Sequence, residues 1–172
     1  MLNKWWMPSQ SKEIKPFPWL APNVIAKLES IVKPYFRVIE HGCGGSTLWF
    51  AERTTSVIAF DKKKEWCDIV NSKLDTSKAR VFVGLDEITP KHIKRSFDLL
   101  LIDGEPLEDR AMWLKAALDL VKAGGWVVLD NANRPDFAEE RAALQKIAEH
   151  FETFDGNEPG TKYLVTEFYR LK

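Results

Sequence analysis

Apolar positions along this chain change period several times, and each change marks an element. Between residues 23 and 33, Val24, Ile25, Leu28, Ile31 and Val32 recur at the spacing of an amphipathic helix, which Pro34 stops. Downstream the pattern shortens to strand-length runs, predicting strands at about residues 36–40, 56–60, 79–83, 97–102, 125–130, 151–154 and 162–169. Helical spacing fills most of the gaps, over residues 46–53, 63–74, 107–121 and 135–150. FDLLLID and GWVVLD are nearly continuous apolar runs, as parallel strands covered on both faces require. The alternation predicts the α/β class, with a single doubly wound, mostly parallel, seven-stranded sheet and helices on both faces.

Residues 1–21 break this order. They are rich in Trp and Pro, without helical or alternating period, and read as an arm ahead of a domain spanning residues 22–172. Trp5, Trp6, Phe17 and Trp19 are too many large rings to leave in water, so they are expected to pack on the domain or to form a lid or subunit contact.

The sharpest local signal is RVIEHGCGGSTLWFAE, a strand entering a glycine-rich turn and leaving as a helix. Gly42, Gly44 and Gly45 let the backbone turn and approach a ligand, while Ser46 or Thr47 can cap the helix. A ligand there meets backbone N–H groups and the positive end of a helix dipole. Other polar residues gather at the same rim of the predicted sheet, because strands one, two, four and five end in Glu40, Asp61, Asp103 and Asp130, and Asp86 follows strand three. Crowded carboxylates repel one another and desolvate poorly, which argues for function over stability. Asp61 lies 19 residues beyond Gly42, the distance of an acid that holds ribose hydroxyls. A dinucleotide fingerprint needs a third glycine where this chain has Thr47, which makes a nicotinamide cofactor improbable.

Composition narrows the classes. With 172 residues, 45% hydrophobic and 29% charged, the chain suits one globular domain. Its 25 basic and 25 acidic side chains balance, giving no sign of a polyanion partner. Cys43 and Cys67 have neither disulfide-framework nor zinc-site spacing, and a reducing cytoplasm fits them best. No apolar run is long enough for a signal h-region or a membrane span. The expectation is a soluble, cytoplasmic protein.

Taken together, VIEHGCGGSTLWFA, AFDKKKEWCDIV, FDLLLIDGEPLEDR and KAGGWVVLDNANRP, in this order, resemble the class I S-adenosylmethionine-dependent methyltransferases. The resemblance runs from about Ala21 to the C-terminus and implies a Rossmann-like fold. The E-x-G-x-G-x-S-T opening and the Asp-Asn pair look like small bacterial members acting on modest-sized substrates. Carried over residue by residue, Glu40 and the Gly42, Cys43 and Gly44 backbone would hold the methionine part of S-adenosylmethionine, Asp61 the ribose diol, and Asp86 the adenine amino group. An ammonium, a diol and an aromatic amine all call for acceptors. For Asp86, an exposed turn residue is the competing reading.

Asp103, Asp130 and Asn131 further resemble the magnesium site of catechol and caffeoyl coenzyme A O-methyltransferases. Their hard oxygens suit Mg²⁺, which would lower the pKa of a bound hydroxyl and align it with the methyl group. Against this, an aspartate after the fourth strand is common across the class as a cofactor or substrate contact, and Asp-Asn can cap the next helix. The base lysine of catechol enzymes falls on Pro106, which puts catechol in doubt and leaves Glu105 and His41 as candidate bases, with Asp103 the first choice for catalysis. A base-gripping Pro-Pro-aromatic motif is absent after strand four, where the chain reads Ile102-Asp103-Gly104-Glu105-Pro106. The expected activity is methyl transfer to an oxygen of a small molecule, without nucleic acid or membrane partners. The alternative is a non-catalytic module that keeps the fold to bind a nucleoside or a protein.

Overall fold

A computed structural model of the chain describes residues 14–84, 95–104, 109–156 and 165–172. Trp5, Trp6, Asp86, Glu105 and Pro106 lie outside the described residues. The elements run α1 (Pro22–Ile31), β1 (Arg37–His41), α2 (Gly45–Arg53), β2 (Ser56–Asp61), α3 (Lys64–Asn71), β3 (Ala79–Val83), β4 (Phe97–Ile102), α4 (Arg110–Leu118), β5 (Val121–Leu129), a 3-10 turn at Pro135–Phe137, α5 (Ala138–Ile147), β6 (Ala148–Asp155) and β7 (Val165–Leu171). The seven strands form one sheet in the order β3-β2-β1-β4-β5-β7-β6. Strands β1 to β5 pair in parallel, and β7 runs antiparallel to both β5 and β6. This is the doubly wound, mostly parallel sheet that the apolar runs predict.

Successive side chains of a strand point to opposite faces, so each strand feeds two cores. Val38, Val57, Leu99 and Leu101 meet Val24 and Leu28 of α1 and Trp49 and Phe50 of α2. Ile39, Phe60, Leu100 and Ile102 meet Trp113 and Leu114 of α4 and Leu144 of α5. Helix α3 packs Cys67 and Val70 on Ala59 and Val81. All six residues of β4 are buried, which explains the unbroken FDLLLI run. Each fully buried Leu or Phe contributes roughly 1.5–3 kcal/mol of transfer free energy, so these faces dominate the stability.

Boundaries differ from the sequence reading where pairing overrides local propensity. Strand β5 starts at Val121 rather than residue 125, because Val121 pairs with Phe97 across a register shift. Gly124, at φ +73°, absorbs the extra residues. Helix α5 stops at Ile147 instead of continuing to residue 150, since Ala148 and His150 join β7. Helix α3 ends at Asn71, whose side chain donates to the Val81 carbonyl (2.8 Å) and accepts from the Val81 N–H (2.9 Å), fastening the helix to β3.

Of the arm's rings, Phe17 at 62% and Trp19 at 75% exposed do not pack on the domain, the first of the two alternatives expected of them. The arm docks by other means. Ile14 joins the α3 core and Pro18 is buried. The Lys15 and Phe17 carbonyls cross so close to Gly45 that a Cβ there would strike both.

Candidate active site at the switch point

Strand order reverses between β1 and β4, and the glycine turn opens into that gap. The alternation of β1 sends its last two side chains to opposite faces. Glu40 turns under α2, 1% exposed, and accepts hydrogen bonds from the Ser46 hydroxyl and, at 2.7 Å, from the Thr47 hydroxyl. Thr47 Oγ1 in turn accepts from the Gly44 N–H at 3.0 Å. Glu40, Thr47 and Gly44 thus form a relay that holds the turn from below, with Thr47 as the third residue of α2 satisfying the backbone of its N-cap. Burial pushes the Glu40 carboxyl up to about 7, against the lowering effect of the two hydroxyls and with a further rise from the Asp61 charge. In the structure the Glu40 carboxyl is sealed beneath the loop, with the Ser46 and Thr47 hydroxyls as its partners.

Two close approaches shape the turn. Gly42 sits at φ +94°, and a Cβ there would lie 2.7 Å from the Gly104 Cα. Its N–H donates to the Phe60 carbonyl at 2.7 Å, and the Asp103 N–H donates to the His41 carbonyl at 3.0 Å. The Trp66 indole donates to the Cys43 carbonyl at 2.6 Å and fixes the next peptide. A Cβ on Gly44 would meet only the Trp66 ring, at 3.5 Å, so the turn is open on that side. Burial pushes the Cys43 thiol upward, leaving its backbone as the useful part. Asp61 ends β2 beside the turn and accepts from the Lys63 N–H at 2.9 Å. An open glycine turn flanked by one carboxylate fits a cofactor bearing an ammonium and a ribose.

His41 points the other way. Its ring stacks on Trp113 at 4.4 Å, and burial, reinforced by Arg110 and Lys62, lowers its pKa to about 3. So weak a base is no candidate for proton abstraction at neutral pH, and His41 is a packing residue under the rim.

At the ends of β4 and β5, Asp103, Asp130 and Asn131 do converge, but on a guanidinium. Arg110, the first residue of α4 and 2% exposed, donates from Nε to the Gly104 carbonyl at 2.8 Å. One terminal nitrogen donates to the Asp103 carbonyl (2.8 Å) and to Asp103 Oδ1 (3.3 Å). The other donates to the Asp130 carbonyl (2.9 Å) and to Asn131 Oδ1 (3.0 Å). Thr166 on β7 donates to Asp130 Oδ1 at 2.7 Å. Asn131, at φ +52°, makes the sharp turn that aims its amide oxygen inward. Among the described residues no group of His, Cys, Asp and Glu is placed to hold a metal ion. What speaks against Mg²⁺ here is the guanidinium itself, which already engages Asp103 Oδ1 and Asn131 Oδ1, two of the oxygens the resemblance would give to the ion. Burial, then the neighbouring Asp130 charge, holds the Asp103 carboxyl well above the usual carboxylate range, and the Arg110 charge offsets part of the rise.

Arg110 and Trp66 were missed by the sequence reading. Arg110 carried a signal nonetheless: a cation at a helix N-terminus opposes the dipole and needs acidic partners, which the adjacent strand ends supply. Trp66 had none beyond its place in the first turn of α3. Lys62 pairs with Asp109, linking the end of β2 to the start of α4 across the gap.

No curated protein matches this sequence. In fold, the chain is similar to a methyltransferase from Geobacter sulfurreducens, with a TM-score of 0.60 and 20% identity, over 91% of this chain and 82% of that one. It is likewise similar to an rRNA methylase from Streptococcus thermophilus (TM-score 0.66, 14% identity, 87% and 95% covered). A third likeness is to a precorrin 8W decarboxylase from Methanobacterium thermoautotrophicum (TM-score 0.59, 18% identity, 92% and 96% covered). Such identities speak for the fold alone. The sequence match is to the methyltransferase domain family over residues 39–132, more than half of the chain, from the strand ahead of the glycine turn to just beyond Asn131. By that match, the chain belongs to the methyltransferase domain family.

Proposed function

We propose that the chain is an S-adenosylmethionine-dependent methyltransferase that alkylates an oxygen of a small molecule. The observation that carries the cofactor half is the relay from Glu40 through Thr47 to Gly44, which holds an open glycine turn at the switch point with Asp61 beside it. In this reading the Gly42, Cys43 and Gly44 backbone takes the methionine end of the cofactor and the Asp61 carboxylate accepts from the ribose hydroxyls. When bound, the cofactor supplies an electrophilic methyl group on a sulfonium that is already a good leaving group. The protein's share is alignment, exclusion of water and one proton acceptor.

Asp103 suits that last part. Its side chain is 25% exposed, more than that of Asp130 at 14%, and it stands at the end of β4 across the gap from the turn. A carboxyl held above its usual range is a better proton acceptor from a hydroxyl than an ordinary aspartate. The equal count of acidic and basic side chains favours a small acceptor over a polyanion. Calorimetric titration with S-adenosylhomocysteine tests the cofactor reading. Wild type should bind and Asp61→Ala should bind at least roughly tenfold more weakly, the effect of losing a charge-assisted hydrogen bond. Equal affinities would overturn the assignment. Radiolabelled methyl transfer into a panel of small hydroxyl compounds and into total RNA tests the acceptor, and label in RNA alone would overturn the small-molecule part.

A further inference from the structure

We propose that Arg110 is the resident cation of the rim, a positioning residue whose guanidinium fills the place a divalent ion would take and makes the site independent of metal. Its consequence for catalysis rests on the methyltransferase reading above, whereas the occupancy follows from geometry alone. A guanidinium has five N–H donors and no acceptor. Here the five meet five oxygens: the carbonyls of Asp103, Gly104 and Asp130, the Asp103 carboxylate and the Asn131 amide. No donor remains for a substrate, so Arg110 acts by holding other groups.

What it holds is specific. The three carbonyls belong to the last turns of backbone after β4 and β5, so one planar fork sets the spacing of both strand ends. The Asp103 carboxylate is clamped by the same nitrogen that grips its own carbonyl, which fixes its orientation at the rim. Asp130 lies 3.8 Å from the guanidinium and is braced from β7 by Thr166. A divalent ion entering among these oxygens would have to displace a buried, fully bonded cation or sit against it, and like charges at that distance repel. Lysine would not substitute, because a single ammonium cannot present the fork.

Mn²⁺ binding, followed by the electron paramagnetic resonance signal of the free ion, tests this directly on the full chain. Wild type should leave that signal unchanged, and S-adenosylhomocysteine binding should be the same with and without EDTA. Arg110→Met removes the cation and leaves Asp103, Asp130 and Asn131 around a gap, so it should take up Mn²⁺ roughly tenfold or more tightly than wild type. Arg110→Gln, which keeps side-chain volume and part of the hydrogen bonding, should move the same way and serves if the Met variant does not fold. Stoichiometric Mn²⁺ binding by wild type that Asp130→Asn abolishes would overturn the proposal, as would a folded Arg110→Gln with no gain in Mn²⁺ affinity. The two readings fail separately: loss of the cofactor reading appears as no S-adenosylhomocysteine binding, and loss of the Arg110 proposal as Mn²⁺ binding in a protein that still takes that ligand.

Discussion

The glycine turn after β1 and the rim at the ends of β4 and β5 face each other across one gap, yet they are held by opposite means. In the turn, the partners are neighbours in sequence. Glu40, Gly44, Ser46 and Thr47 lie within one strand–turn–helix junction, and neutral hydroxyls bond a buried carboxyl. At the rim, oxygens from two strand ends are tied by the guanidinium of Arg110, and a hydroxyl from β7 completes the network. A local relay gives a turn that forms with its own helix, whereas a long-range clamp exists only once the sheet is assembled. The two halves should therefore fail in different ways.

The largest effect is expected where the halves touch. Gly42→Ala puts a Cβ at positive φ and 2.7 Å from Gly104, so it should cost about 5 kcal/mol in denaturant unfolding or prevent folding outright. A loss below about 1 kcal/mol would mean the approach of the two strand ends is not fixed. Arg110→Ala comes next, since it strands two carboxylates at the rim. About 4 kcal/mol should be lost, with the unfolding midpoint in urea as the measure.

A pH effect separates the halves further. The folded-state pKa of Glu40 lies near 7, above its ordinary 4.5, so the fold favours the protonated form. Its contribution is complete below about pH 4.5 and is lost as the pH rises through about 7, a fall of up to about 3 kcal/mol that Glu40→Gln should flatten. Urea midpoints measured between those two pH values decide this, and parallel slopes for wild type and variant would contradict it. Thr47→Val should cost about 2 kcal/mol, because it leaves the Gly44 N–H and one Glu40 oxygen unpaired without a change of volume. It should also weaken S-adenosylhomocysteine binding, whereas a change at Arg110 should act on the acceptor side first.

How far the sequence could be read follows the same division. The central strands β4 and β5 were the most legible, because parallel strands buried on both faces must be apolar nearly throughout, as in FDLLLI and WVVL. The turn was legible because its geometry demands glycine, although Thr47, noticed as a missing glycine, turned out to be the middle of the relay. Glu40 and His41 show what local pattern cannot reach. Both stood at the end of one strand as polar candidates, yet period-two alternation put one beneath α2 and the other against Trp113, and neither faces the gap. Asp103, Asp130 and Asn131, grouped from the sequence as a magnesium site, meet around Arg110, a residue the local pattern did not single out.

By itself, the sequence determined the α/β class, the run of strands and helices, and the glycine turn with Asp61 beside it. These depend on periodicity and backbone conformation, which are local. Only the tertiary structure decided which carboxylates are sealed, that the arm docks through Ile14, Pro18 and its backbone with Phe17 and Trp19 left exposed, and that an arginine bonds Asp103 and Asn131 at the rim. Those outcomes depend on the convergence of strand ends and a helix start far apart in the chain, and on whether a buried charge finds its partners there.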